Sequence, residues 1–364
     1  MSLPNHGANP YRLYTQLGIQ LPADILDFSE NVNPAGAPDF IKNDWKDYLQ
    51  LLQHYPDPEG EPFLSAVAKY HDISTENIVL GNGAAEIFSL LATYFRGNNA
   101  IILHPTFSEY EATLRENDVE IQRVVCEDIV NWKLPLDELQ QAMQNADVLY
   151  LCTPNNPTGV LPLKEELKQL IESAKESNCS IVLDEAFIDF VDESASFIKS
   201  VKENHQVIIV RSMTKMYAIA GIRLGYMVAA PEVASAIRKL TPHWHINGIA
   251  AVIGARCLSK EVDAFRQKAC DYAGQMRTRF QVFLRQNHCL VTNSVTNYVS
   301  FQLPNTEQSQ NFFTYMLEKG MVLRHTENFI GMEGAWFRVG MKAPEAMNRL
   351  EEEMMHWFQA NSSL

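Results

Sequence analysis

Four short stretches of this chain place chemically capable residues directly after apolar runs. Gly81-Asn82-Gly83-Ala84-Ala85-Glu86 follows the run NIVL, a glycine turn opening into a helical pattern. Unpaired amides at a helix start, together with the helix dipole, make a place for an anion. Thr153-Pro154-Asn155-Asn156-Pro157-Thr158-Gly159 follows DVLYLC. Two asparagines boxed by prolines form a rigid turn that holds an amide in a fixed direction. Asp184-Glu185 follows CSIVL, an acid emerging from an apolar strand where an unpaired carboxylate is costly. Arg211-Ser212-Met213-Thr214-Lys215-Met216-Tyr217 follows QVIIV, with Gly221-Ile222-Arg223-Leu224-Gly225 close behind. Two hydroxyls, a lysine and two arginines thus gather at another strand end. Taken singly, these are a tight turn, a helix cap and a solvated lysine. Taken together they supply an anion cradle, a fixed amide, a buried acid and an amine.

The cofactor that requires this set is pyridoxal 5'-phosphate, with its phosphate, phenolic oxygen, protonatable ring nitrogen and aldehyde. The wording GNGAAE, TPNNPTG, LDEAF and RSMTKMYAIAGIRLGY is similar to the fold-type-I pyridoxal phosphate enzymes of the class II aminotransferase superfamily, in the histidinol-phosphate aminotransferase branch. The likeness runs in order over roughly residues 25–340. It implies that Lys215 is the Schiff-base lysine and the group that moves the proton. It implies that Asp184 pairs with the ring nitrogen and keeps it protonated, which makes the ring an electron sink. Asn156 would donate to the phenolic oxygen. The turn at Gly83, the amides of Ala84 and Ala85, the hydroxyls of Ser212 and Thr214 and the guanidinium of Arg223 would hold the cofactor phosphate. Phe107, in HPTFSEY, matches the aromatic that stacks on the ring. Tyr55, in QHYPDPEG, matches a tyrosine that reaches the phosphate of a neighbouring subunit, so a homodimer with shared active sites is implied. One departure is informative: this branch usually reads DEAY, and here the tyrosine position is Phe187, leaving Asn156 as the donor to the phenolic oxygen.

Which bond is broken depends on the groups that orient the substrate. Arg338, in WFRVG, matches the family arginine that pairs with a substrate α-carboxylate through two parallel hydrogen bonds. Arg324, in MVLRHT, is placed to hold a second anion. The opening His6-Gly7-Ala8-Asn9 with LDFSENVNPAG resembles the threonine-phosphate decarboxylases, which supply aminopropanol phosphate for cobalamin and share the DEAFIDF and TKxYAIxGxRLGY wording. In that assignment His6, Asn31 and Arg324 contact substrate phosphate or carboxylate, with Lys342 an extra cation of no assigned place. The expected reaction is decarboxylation of L-threonine O-3-phosphate by a pyridoxal phosphate lyase. The alternative is transamination of histidinol phosphate or a related amino acid. A non-catalytic binding module is disfavoured by the intact set of Lys215, Asp184 and Arg338.

These residues need a frame. The apolar runs 77–81, 99–104, 147–152, 179–186, 206–212 and 224–230 are rich in Val, Ile and Leu without polar alternation, as strands buried on both faces are. Helical patterns at 84–95, 108–117 and 163–177 lie between them, which predicts a doubly wound, mainly parallel α/β sheet with ligands at the carboxyl ends of its strands. After about residue 250 the pattern changes to long helical stretches, 251–287 and 343–360, flanking strands at 297–303 and 335–341. The expected division is an N-terminal arm, 1–45, joining the small domain; a large cofactor-binding domain, 46–250; and a smaller α+β domain, 251–364. Five prolines in that arm predict extended chain with little helix, lying over the domain or reaching a partner subunit.

The balance of 30 Lys and Arg against 44 Asp and Glu gives a net charge of −14. Such a surface repels phosphate backbones and anionic lipid, so neither nucleic acid nor membrane is an expected partner. A phosphorylated amino-acid substrate must then be held by a local cluster of cations. No apolar run reaches the ~18 residues a spanning helix needs, and no metal-ligand or CxxC spacing occurs among the histidines and six cysteines. Reduced core thiols and a cytoplasmic location are the expectation.

Overall fold

A computed structural model describes residues 3–4 and 7–361. Among these residues the largest sheet has seven strands: β1 (Ile78–Gly81), β2 (Asn99–His104), β3 (Glu120–Val125), β4 (Val148–Cys152), β5 (Ser180–Asp184), β6 (Val207–Ser212) and β7 (Gly225–Val228). Their spatial order is β1-β7-β6-β5-β4-β2-β3. The pairs β6–β5, β5–β4, β4–β2 and β2–β3 are parallel, and β7 runs antiparallel to both β1 and β6. The central strands are buried along their length, as their unbroken apolar runs require. Helices Ala84–Tyr94, Glu109–Glu116 and Lys164–Ser177 connect them. This is the mixed α/β architecture of fold-type-I pyridoxal phosphate enzymes.

The strand missing from the sequence expectation is β3. It lies at the sheet edge and mostly faces solvent, so EIQRVV carries no buried apolar run to mark it.

A second sheet of four antiparallel strands follows: Leu290–Val291, Tyr298–Gln302, Arg324–His325 and Trp336–Gly340. The expected helix over 251–287 is two helices, Gly248–Cys257 and Asp263–Gln286, interrupted at Leu258-Ser259 and a short 3-10 turn.

The arm also differs from expectation, because Pro10–Leu17 is helical. Asn9 caps it by accepting from the Arg12 amide, Pro10 occupies the first turn where its missing N–H costs nothing, and Gly18 closes it in the left-handed region at φ 64°. Counting prolines as breakers misread one that starts a helix. Leu13, Tyr14 and Phe28 pack into the apolar cluster built from the C-terminal elements, and Leu26–Asp27 pairs in parallel with Met321–Val322.

Candidate active site

The carboxyl ends of β4, β5 and β6 open on one cavity of about 230 Å³. Ala84, Ala85, Phe107, Asn156, Asp184, Ser212, Thr214, Lys215 and Arg223 all line it, and so do Asn31, Arg324, Arg338 and Phe187. Gly83 lies just behind as the cap of helix Ala84–Tyr94. Its φ is 84°, and a β-carbon there would stand 2.5 Å from an Arg223 guanidinium nitrogen, so only glycine lets that cation approach the helix start. The first amides of the helix have no intrahelical acceptor. The Ser212 and Thr214 hydroxyls lie 2.8 Å apart beside them. One sequence candidate, Tyr55, is not among the lining residues. Tyr55 is 85% exposed and packs its ring near Trp244 at 5.3 Å, away from the cavity. His6 lies outside the described residues.

Other corrections follow from hydrogen bonds. Arg211, grouped by sequence with the lysine, faces the opposite way, where its guanidinium meets Glu185 at 2.9 Å, Asp189 at 3.2 Å and Glu193 at 2.6 Å. That buried hub anchors the ends of β5 and β6 from behind. Lys342 is paired with Glu30 at 2.9 Å, and it is Glu30 that lines the cavity. Gly7, Ala8 and Ser29, quoted above for the resemblance without a role of their own, line the same cavity. The Ala8 amide donates to Ser29 Oγ at 2.9 Å, and Ser29 Oγ donates to Asp27 Oδ1 at 2.6 Å. The spacing D-x-S at 27–29, a turn-forming pair, was the available signal.

Two arginines of the cavity are cross-strand neighbours. Arg324 and Arg338 sit directly opposite each other in the antiparallel pair and are buried, 3% and 6% exposed. Arg338 donates to Asn156 Oδ1 and, at 2.7 Å, to the Ser29 carbonyl, while its Nε has no partner among the described residues. With Oδ1 taken, the Asn156 amide is fixed with its NH2 left to donate. Arg324 donates to Asn328 Oδ1 at 2.7 Å, and its other terminal nitrogen stands 2.9 Å from His325 Nε2. Burial lowers both guanidinium groups, Arg338 to about 10 and Arg324 to about 9, the latter helped by its neighbour Arg338. Burial also lowers the Lys215 amine to about 8, with Arg338 and Arg223 acting in the same direction.

Asp184 is the test of fit for the cofactor. Burial raises its carboxyl from 3.8 to about 6, opposed by hydrogen bonds from Tyr110 and the Ala186 amide and by the charge of Lys215. A buried acid raised in this way gains from a cation against it, which a protonated pyridine supplies. Asn156, the open helix start and the two hydroxyls suit the same group's phenolic oxygen and phosphate.

The linkage has a measurable sign. Between about pH 4 and 6 the folded chain without cofactor keeps a proton that the unfolded chain has lost, so the Asp184 contribution to stability falls across that window. Asp184→Asn removes the titration. In urea unfolding of the cofactor-free protein, the variant should gain on the wild type between pH 4 and 7 by on the order of 3 kcal/mol. An unchanged difference between the two pH values would refute the assignment of that raised acid.

The family model for aminotransferase class I and II matches residues 23–352, and the chain belongs to that family. It is a pyridoxal 5'-phosphate enzyme. It is 33% identical to the threonine-phosphate decarboxylase of Salmonella typhimurium, over 95% of this chain and 94% of that one. It is 25% identical to the histidinol-phosphate aminotransferase of Methanococcus aeolicus, over 91% and 89% of the two chains. The crystal structure of histidinol-phosphate aminotransferase from Clostridium acetobutylicum superposes with a TM-score of 0.86 at 27% identity, covering 92% of this chain and all of that one. No helix among the described residues is long and apolar enough to cross a membrane.

Proposed function

We propose that the protein decarboxylates an O-phosphorylated amino acid, L-threonine O-3-phosphate, giving carbon dioxide and aminopropanol phosphate in the making of cobalamin. The observation that carries this reading is the pair Arg324 and Arg338, like charges held buried and directly opposite in one sheet. Like charges so placed destabilise a sheet. A substrate with both a carboxylate and a phosphate turns that cost into recognition. The similarity to the Salmonella decarboxylase supports it.

Bound at Asp184 and Lys215, pyridoxal phosphate supplies an electron sink that labilises a bond at the substrate α-carbon. The chain's own residues decide which bond. Arg338, braced by Asn156 and Ser29, holds the carboxylate and fixes its direction. Arg324 and Asn31, with His6 of the arm, hold the phosphate. Lys215 Nζ returns a proton to the α-carbon after carbon dioxide leaves. Phe187 lines the wall without a hydroxyl, its ring edge-on to Tyr298 at 4.9 Å, so Asn156 is the donor to the cofactor's phenolic oxygen. Exposed Tyr55, beside half-exposed Trp244, serves the neighbouring site of a homodimer in this reading.

The test is incubation with phosphothreonine and, separately, with histidinol phosphate plus 2-oxoglutarate. Carbon dioxide from the first supports decarboxylation. Glutamate from the second with no carbon dioxide from the first establishes the transaminase reading, which the histidinol-phosphate aminotransferase relatives favour. Arg324→Ala should lower kcat/KM for phosphothreonine by at least ~30-fold, the low end for a buried charge-assisted contact. Pyridoxal phosphate affinity should scarcely change, because its phosphate has a separate cradle.

A further inference from the structure

Tyr110 lies three residues beyond Phe107 on helix Glu109–Glu116 and is fully buried under the cavity floor. Its ring is wedged between Phe88, at 4.7 Å, and Tyr150, at 5.6 Å, and meets Phe107 edge-on at 5.7 Å. Its hydroxyl donates to Asp184 Oδ2. The phenol's other polar neighbour is the Cys152 thiol, whose own proton points to the Pro154 carbonyl at 3.3 Å; the ionised carboxylate, which can only accept, takes the phenolic proton. Asp184 Oδ1 is occupied by the Ala186 amide at 3.0 Å. Each carboxylate oxygen therefore carries one neutral donor and keeps a lone pair for a further partner.

We propose that Tyr110 is a positioning residue that acts through Asp184: by donating to Oδ2 it weakens the carboxylate as a base and so keeps the shared proton on the cofactor ring nitrogen rather than on Asp184. The consequence rests on the cofactor assignment and is independent of which bond is cleaved. In the hydrogen bond between ring nitrogen and carboxylate one proton is shared, and nothing else is gained or lost when it shifts. Hydrogen bonding to the charged form of an acid favours that form. With the hydroxyl removed, Asp184 becomes the stronger base and draws the proton to itself. The same ring supports Phe107 from below, so one side chain braces both the acid and the aromatic wall of the cavity. Other ionisable groups facing Asp184 are Lys215, Glu185, Cys152 and Tyr298. Among these and Tyr110, the phenol is the group whose side chain is hydrogen-bonded to the carboxylate.

The experiment uses Tyr110→Phe, which keeps the ring and its packing. In the cofactor-free protein, carbon-13 NMR of the Asp184 carboxyl should show its midpoint moving up by about one pH unit, the scale of one lost hydrogen bond. This measurement needs no cofactor, so its outcome is separate from the cofactor assignment. In protein loaded with ring-labelled nitrogen-15 pyridoxal phosphate, the ring signal should move toward that of unprotonated pyridine. The dissociation constant for pyridoxal phosphate should rise ~10-fold. An unchanged midpoint with an unchanged nitrogen signal overturns the proposal, even if affinity falls, because packing alone would explain that loss. If Tyr110→Phe does not fold, 3-fluorotyrosine at position 110 replaces it. Its more acidic phenol is a stronger donor and should move the Asp184 midpoint down, and no movement overturns the proposal.

Discussion

Lys215→Ala should lower kcat by at least ~10⁴-fold and end the fixation of pyridoxal phosphate to the chain by borohydride, because in the proposed reading one side chain both carries the cofactor and moves the proton. The lysine stands in the cavity with its amine lowered to about 8 by burial first, then by Arg338 and Arg223. A lysine near its ordinary value would be almost wholly protonated at neutral pH and a poor nucleophile. Here a useful fraction is free amine. Covalent loading of the cofactor-free wild type should accordingly quicken as pH rises toward 8 and level off above it. Below that midpoint the rate should fall about tenfold per pH unit as the free amine is lost. Borohydride fixation that persists in the alanine variant would remove Lys215 from its role.

The second large effect is expected at Arg338. Arg338→Lys keeps the charge and loses the planar fork, so kcat/KM for the amino-acid substrate should fall ~100-fold or more. Two further contacts go with it. The amide oxygen of Asn156 and the carbonyl of Ser29 both lose their guanidinium donor. Part of the loss should therefore appear in kcat, through a looser Asn156, as well as in KM. Steady-state kinetics with fixed cofactor would separate the two. A variant with wild-type kcat/KM would show that the substrate carboxylate is not held there.

The large sheet was legible because its strands are buried on both faces. Runs such as VLYLC and VIIVRS have no alternation to confuse with anything else, and the chemistry follows them immediately. The Gly83 turn, Asn156, Asp184 and Lys215 could be read from that adjacency. The edge strand β3 could not, since most of it faces water and its residues obey no core pattern. Tyr110 was hidden for a different reason. Its place one helical turn past Phe107 is ordinary core spacing, and only the fold brings its hydroxyl against Asp184, 74 residues away. Arg211 illustrates the converse error. Alternation along β6 sends Arg211 and Ser212 to opposite faces, so neighbours in sequence reach a salt-bridged hub and a cofactor cradle respectively. The cross-strand pairing of Arg324 with Arg338 was likewise invisible without the register.

The bond from Arg338 to the Ser29 carbonyl spans 309 residues of chain. Beside it, Leu26–Asp27 joins Met321–Val322, and the Asn297 side chain donates to the Asn31 carbonyl at 2.9 Å across 266 residues. The arginine-bearing side of the cavity is thus stitched from segments far apart in sequence, 26–31 and 297–338. Lys215, Asp184 and the phosphate cradle come from its middle. During synthesis the middle emerges while the C-terminal strands are still unmade, so the cofactor's seat can form before any means of gripping an amino acid exists. Residues 26–31 must wait for these partners until the strands that hold them have been translated. A truncated product ending before Met321 would carry the reactive lysine without the groups that confine it to one substrate.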